Sequence, residues 1–377
     1  MRHKLSFTEA LLLLIGTQIG AGILGLPYIM KDSGLMGIAI VVLVGIITMI
    51  TSLFILACIK EDEDTTLTDL ASSRLGKWAG ILTFLSIVLY GYGALIAYIA
   101  SSGNILSTAL RINPTIGALL FWAIMSGIVL MGLRASGKAE VLIGISLLVA
   151  LGISIALVLP SVKAENLMTW DMKNLLPLIG VSMFAYASHL IVPEIKTGTD
   201  KETAKKVIIW GFFIPMVFYA LFVLAFVGAF GKDVPQMAMM AISGKFGILG
   251  TLLGILVPLT AISTSFIGIA YAQMNNIKQL IGNKLLAWLL VVVPPIFIYL
   301  MGLRSFTGAL SVAGSYGGLI FAGIIPVLLY IKASERTSYR HLAYSLLSLF
   351  ALVFIANLML QHVEGHRPSF FYNRYTI

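Results

Sequence analysis

From Leu5 to Gln361 the chain repeats one pattern, an apolar run of about twenty residues followed by a short polar segment. A helix of that length crosses the hydrocarbon core of a bilayer, so each run predicts a transmembrane helix. Eleven spans result, at 7–30, 35–59, 78–110, 114–133, 137–160, 174–197, 207–230, 248–277, 284–303, 307–332 and 339–361. The expected fold is an all-α membrane protein of eleven transmembrane helices with no sizeable soluble domain. Spans 78–110 and 248–277 exceed a perpendicular crossing, which predicts tilt or extension beyond the hydrocarbon. The first segment lacks a short apolar core with a small-residue cleavage pattern and is read as a retained helix.

Composition agrees with lipid as the solvent, since 59% of the 377 residues are hydrophobic and 11% are charged. The formal charge of +9 does not point to nucleic acid, because the basic residues are scattered singly through short loops. They set orientation instead. With the N-terminus inside, the inner segments hold Arg2, Lys4, Lys60, Arg74, Lys77, Arg134, Lys138, Lys196, Lys201, Lys205, Lys206, Lys278, Lys284, Lys332, Arg336 and Arg340, the bias of cytoplasmic loops. This predicts a multi-pass inner-membrane protein whose C-terminus lies outside. The single cysteine, Cys58, excludes an internal disulfide and a cysteine-rich metal site. Segments 61–77 and 231–246 are amphipathic and are expected to lie as interfacial helices on the headgroups, with a gate element as the alternative.

Two spans carry small residues near their middles, followed by proline. In the first, Gly20-Ala21-Gly22 precedes Pro27; in the sixth, Phe184-Ala185-Tyr186-Ala187-Ser188-His189 precedes Pro193. If each span breaks there and restarts as a second half-helix, the proline falls in a first turn, where its missing N–H has no intrahelical partner anyway. Harmless kinks and close packing are the plainer explanation of one such motif. Two at corresponding positions favour broken helices and a five-plus-five repeat, inverted because five is odd. The expected division is 1–160 for the first repeat, 161–332 for the second, and 333–377 for the eleventh span and a short tail.

Unwound backbone at membrane depth is tolerated only where protein buries it or a cavity borders it, so paired breaks predict a binding site. Free N–H groups from Gly22 to Leu24 suit a carboxylate, and carbonyls near Phe184 and Ala185 suit an ammonium or a metal cation. A zwitterion such as an amino acid satisfies both. The predicted substrate site comprises Gly20, Ala21, Gly22, Ile23, Tyr90, Phe184, Ala185, Tyr186 and Ser188, with Tyr92, Tyr98 and Ser315-Tyr316 as further candidates whose simpler role is packing. His189 is the one clearly central ionisable side chain. It either donates to a backbone carbonyl at the break or relays a proton. Glu194 is an inner-gate anion or an interfacial carboxylate.

The glycine pair with Pro27 in GTQIGAGILGLPYIMKDSG (16–34), Asp69-Leu70 and Leu75-Gly76 in segment 67–106, and the Ser188-His189 break in segment 183–231 resemble the amino acid/auxin permease family, within the amino acid, polyamine and organocation superfamily. The resemblance implies the LeuT-type fold and symport of amino acids driven by sodium or protons. It also implies that backbone at residues 20–22 receives the carboxylate. In sodium-coupled transporters of that fold, Ala261, Thr264 and Ser265 resemble one wall of a sodium site, and the carbonyls of Gly16 and Ile19 match the other. Oxygen ligands suit this hard cation. The stretch Gly144-Ile145-Ser146-Leu147-Leu148 offers no lysine to replace it. The expected function is cation-coupled symport of a neutral amino acid, sodium ahead of protons, with no cofactor beyond the coupling ion. The alternative is an amino acid-sensing receptor. An enzyme is disfavoured because no metal cluster, nucleotide loop or nucleophile–base pair is apparent, and a channel because the breaks predict an occluded site.

Overall fold

A computed structural model of the protein describes residues 5–60, 65–132, 137–171, 173–333 and 337–364, so residues 61–64 of the first amphipathic segment, and Arg2, Lys4, Arg134 and Arg336, lie outside the described residues. Every regular element among these residues is helical. In chain order they are α1 (Phe7–Gln18), α2 (Ala21–Met30), α3 (Gly34–Cys58), α4 (Leu67–Leu75), α5 (Lys77–Leu110), α6 (Pro114–Met131), α7 (Gly137–Val158) and α8 (Ala164–Leu167). Then follow α9 (Leu175–Tyr186), α10 (Val192–Gly198), α11 (Lys201–Phe230), α12 (Gly247–Ile281), α13 (Lys284–Leu300), α14 (Phe306–Val312), α15 (Ile325–Ala333) and α16 (Thr337–Glu364). Nine helical spans among the described residues are long and apolar enough to cross a bilayer, the α1–α2 pair bent by 47° makes a tenth, and the 17-residue α13 makes the eleventh expected crossing.

Helices that start in polar segments start with the expected caps. Ser6 and Glu9 form a reciprocal capping box on α1, Asn113 caps α6 just ahead of Pro114, and the Asp200 carboxylate accepts the amides of Glu202 and Thr203 at α11. Neither α2 nor α10, the second halves of spans one and six, has a side-chain cap. The long third and eighth spans run for 34 and 35 residues, about 50 Å at ~1.5 Å per residue, so they overrun the hydrocarbon core as expected.

The described parts of the two amphipathic segments each pack an apolar face on protein. In the first, α4 buries Leu67, Leu70 and Ala71 against α5 and α15. The second forms no α-helix: 3-10 turns at Gly231–Asp233 and Ala238–Ile242 bury Val234, Met237, Met239 and Ile242 among α2 and α12. Its apolar positions face the protein core, and the expected interfacial helix is replaced there by 3-10 turns.

Span ten departs from the regular α-helix. Between α14 and α15 lies a π-helical stretch, Ala313–Ile324, packed against α9 and α5. Such widened turns occur mostly as single bulges, and often at functional sites. Glycines permit the fit: a Cβ on Gly314 would overlap the Gly180 carbonyl, and one on Gly317 would lie 2.7 Å from the Ser86 carbonyl. Gly34, with φ +47°, starts α3 where a side chain would run into the Leu167 carbonyl.

The close approach of spans six and ten generates a stability test. Gly314→Ala is expected to destabilise the protein by about 1–3 kcal/mol or more through overpacking. Gly127→Ala, inside α6 where a Cβ meets nothing within 4 Å, should not lower stability and gains up to about 1 kcal/mol of helix propensity. Thermal melting of both variants in detergent checks the contrast.

Candidate functional site

Spans one and six are interrupted by the same backbone device. Ile19 has φ −81° and ψ 76°, and Ala187 has φ −74° and ψ 63°, both the geometry of an inverse γ-turn. The hydrogen bonds agree, with Gly20 N donating to Gln18 O at 2.9 Å and Ser188 N to Tyr186 O at 2.7 Å. The corresponding positions are therefore Ile19 and Ala187. Against that register Pro193 falls at the start of α10 as expected, whereas Pro27 is the seventh residue of α2. The first-turn expectation fails for Pro27, whose ring instead removes the helical bond to the Ile23 carbonyl.

Each interruption leaves helix ends at mid-span. At the start of α2 the amides of Ala21, Gly22 and Ile23 have no intrahelical acceptor. The free amides thus begin one residue earlier than the expected Gly22–Leu24. At the end of α1, Ile15 O takes the Ile19 amide, while Gln18 O takes the Gly20 amide and the Tyr219 hydroxyl at 2.7 Å. Gly16 and Thr17 remain as last-turn carbonyls without a helical donor. At the end of α9, Phe184 O takes the Ala187 amide and the Tyr90 hydroxyl, and Ala185 O takes the Tyr219 hydroxyl at 3.1 Å.

The expected substrate residues are partly brought together. Gly20, Ala21, Gly22 and Ile23 form the turn and the first turn of α2, and Gly22 lies against α9, where a Cβ would sit 3.1 Å from Ala185 Cα. Gly22 is thus small because two helices cross there. Tyr90 stacks on Phe184 with ring centroids 4.7 Å apart and meets Phe321 edge-on at 5.2 Å. Phe184 and Tyr186 belong to the last turn of α9, not to its unwound part, and a separation of two residues turns them about 200° apart on the helix. Tyr186 accordingly faces the other way, against Phe212 and Tyr219. Ser188 is buried beside the second turn, its hydroxyl 3.4 Å from Tyr186 O. Tyr92 is directed elsewhere, its hydroxyl donating to Leu290 O in α13, and Tyr316 packs edge-on against Phe354.

The candidate cation ligands lie where α12 passes the first break. A Cβ on Gly20 would approach Ser265 Oγ to 2.8 Å. Thr264 Oγ1 donates back to Thr260 O or Ala261 O, at 3.0 and 3.1 Å. Gly16 is exposed and Ile19 buried.

His189 is fully buried and turned toward α3, its Nε2 2.8 Å from Thr51 Oγ1. The Thr51 hydroxyl has its own acceptor in Thr48 O at 3.0 Å, so the histidine is the donor and the neutral Nε2–H form fits, leaving Nδ1 without a partner. Glu194 is exposed on α10. Sequence reasoning missed Gln18, whose amide donates to Gly211 O at 3.0 Å, and Tyr219. A glutamine inside an apolar run was a visible signal; a tyrosine among 14 was not.

Comparison with known proteins places this geometry. The tyrosine-specific transport system 1 of Haemophilus influenzae is 25% identical over 362 residues, covering 88% of this chain and 89% of that protein. Glutamine transporter 2 of Aliivibrio fischeri is 25% identical over 346 residues, covering 86% of this chain and 88% of that protein. Among solved structures, MhsT in complex with L-phenylalanine superposes with a TM-score of 0.67 at 14% identity, covering 95% of this chain and 99% of that one. The Eremococcus coleocola manganese transporter gives 0.69 at 11% identity, covering 96% and 88%. The likeness to these structures shows the expected LeuT-type fold. The family named from the motifs, the amino acid/auxin permeases, is not the one whose model matches: the glycine pair and the Ser-His break mark the broken-helix architecture rather than one family. The model that does match, the tryptophan/tyrosine permease family, covers residues 3–362, and the chain belongs to that family of membrane transporters, not of enzymes.

Proposed function

We propose that the protein is a secondary active transporter that carries a neutral amino acid across the inner cell membrane by alternating access, coupled to sodium. The observation that carries this reading is the pair of matching γ-turns, which bring unpaired amides of one helix start and under-filled carbonyls of two helix ends to one place. In this reading the Ala21, Gly22 and Ile23 amides take the carboxylate, with Gly20 forming the turn, and the Ala185 carbonyl, next to the filled Phe184 carbonyl, faces the ammonium. Tyr90 and Phe184 wall the side chain, while Tyr186 and Ser188 hold the second turn from behind. Tryptophan and tyrosine are the first candidate substrates, supported by the family and by the tyrosine-specific relative. The matching turns at Ile19 and Ala187 also support inverted repeats at 1–160 and 161–332, with 333–377 appended. The N-terminus is cytoplasmic and the C-terminus outside, as the basic residues favour.

For sodium we assign the carbonyls of Gly16, Ile19 and Ala261 and the hydroxyls of Thr264 and Ser265. Gly16 O lacks a helical donor, and Ser265 lies beside Gly20. A hydroxyl that bonds back through its hydrogen keeps oxygen lone pairs for a cation.

Purified protein in proteoliposomes is expected to accumulate labelled L-tryptophan or L-tyrosine under an imposed sodium gradient at equal pH, and to exchange label by counterflow. Combining Thr264→Ala with Ser265→Ala should lower the sodium dependence by about tenfold or more, on the scale of lost hydrogen-bonding ligands to a charge. Sodium-independent uptake by the wild type, or an unaltered dependence in the double variant, would sink the sodium assignment. Binding without counterflow would replace transport by sensing.

His189→Gln should retain driven uptake, because an amide donates to Thr51 as the Nε2–H does but carries no proton. Loss of driven uptake with substrate binding intact would make the histidine a relay.

A further inference from the structure

The Tyr219 hydroxyl stands between the two helix ends that terminate at mid-membrane. It is 2.7 Å from the carbonyl of Gln18, the last residue of α1, and 3.1 Å from that of Ala185, in the last turn of α9. The side chain is fully buried, so neither water nor lipid competes for the bond. A phenol has one hydrogen to give. Both carbonyls belong to the negative ends of helix dipoles, which repel each other when brought together. A single donor shared between them fixes their spacing and leaves the pair short of hydrogen.

The accounting is uneven. Gln18 O has two donors, the Gly20 amide and Tyr219, and Phe184 O has two, the Ala187 amide and Tyr90. A carbonyl carries two lone pairs, so both are filled. Ala185 O has the longer arm of the shared Tyr219 bond and keeps a lone pair for another donor. Beyond Ala187 the backbone turns away, so no helical amide returns to it.

We propose that Tyr219 is a positioning residue for the ammonium group of the substrate: it aims the Ala185 carbonyl, and holds the α1 and α9 ends together, so that a cationic N–H donor completes the set. This rests on the functional reading above and deepens it. An ammonium supplies three donors to a spot that lacks them, and a buried acceptor bonded to a charged donor counts for more than a neutral pair. The aromatic ring is a separate matter, since it packs on Tyr186 with centroids 4.9 Å apart. Tyr219→Phe keeps that packing and removes only the hydrogen.

The test compares two ligands that differ only in the ammonium: L-tryptophan and its des-amino analogue indole-3-propionate, their affinities measured on purified wild type and Tyr219→Phe. L-Tyrosine with 3-(4-hydroxyphenyl)propionate is the second pair. Tyr219→Phe is expected to weaken the amino acid by about tenfold to a hundredfold, because an Ala185 carbonyl no longer aimed forfeits its hydrogen bond to the charged ammonium. The des-amino acid should change by less than about twofold. Equal weakening of both ligands would mean that Tyr219 only supports the fold, and unchanged amino acid affinity would mean that it does nothing at the site; either overturns the inference. Should Tyr219→Phe not fold, 3-fluorotyrosine at position 219 keeps the ring and hydroxyl while strengthening the donor. It must then shift the ratio of the two affinities, and an unmoved ratio overturns the inference. A wild type that binds no amino acid overturns the functional reading itself, a result distinct from wild-type binding that Tyr219→Phe leaves intact.

Discussion

A peptide group left unpaired in the hydrocarbon core costs several kcal/mol, and this chain interrupts two of its spans at mid-depth. The interruptions survive because each is closed locally by an inverse γ-turn and then covered by a tyrosine from another span. Tyr90 of α5 reaches the end of α9, and Tyr219 of α11 reaches the ends of both α1 and α9. The surrounding architecture serves this covering. Span ten widens into a π-helical stretch whose glycines let it lie on α9, and Gly22 lets α2 lie on the same helix from another side. What stays open after all these bonds is a small set of amides and carbonyls, and that residue of unmet hydrogen bonding is what makes the site a site.

Much of this was legible because the bilayer imposes lengths. Apolar runs of about twenty residues gave the eleven spans to within a few positions, and polar starts such as Ser6, Asn113 and Asp200 are caps for ordinary reasons. The breaks were legible as places but not as conformations. Gly20 and Gly22 drew attention to the right turn, yet the interruption is centred on Ile19, whose side chain says nothing about a γ-turn. Proline misled for the same reason. Pro193 begins a half-helix and Pro27 interrupts one, and the equal spacing of both to a small residue could not tell the difference.

What the sequence hid was everything made by pairing across the chain. Gln18 and Tyr219 are 201 positions apart, and Tyr90 and Phe184 are 94 apart. No local pattern marks a tyrosine that covers a break from one that packs a helix. Phe184 and Tyr186 look equivalent as neighbours inside a small-residue motif, but a helix of 3.6 residues per turn puts them on nearly opposite faces. Only one of them joins Tyr90. The segment 231–246 shows the converse case, in which the apolar positions were legible and the partner was not: the surface they bury against is that of α12, which follows, and of α2, far away in sequence.

Among the described residues, the side-chain hydrogen bonds that join one of the first nine spans to another fall mainly into two sets, and the division bears on how such a site is reached from either side of the membrane. One set ties spans one, two, six and seven: Gln18 to Gly211, Tyr219 to Gln18 and Ala185, and His189 to Thr51. The other ties spans three, four, eight and nine: Gln273 to Ile87 and Val88, Tyr92 to Leu290, Trp122 to Val292, and Trp288 to Ser126. Between the sets run the Tyr90 hydroxyl to Phe184 O and the close approach of Gly20 to Ser265. A buried hydrogen bond broken without replacement is costly, so relative motion is cheapest along the surface that such bonds cross least. That surface passes through the proposed substrate site at Tyr90 and through the proposed cation ligands at Ser265. A ligand bound at either place would touch both sets at once, and this is the condition under which occupancy shifts the balance between two arrangements of the same helices.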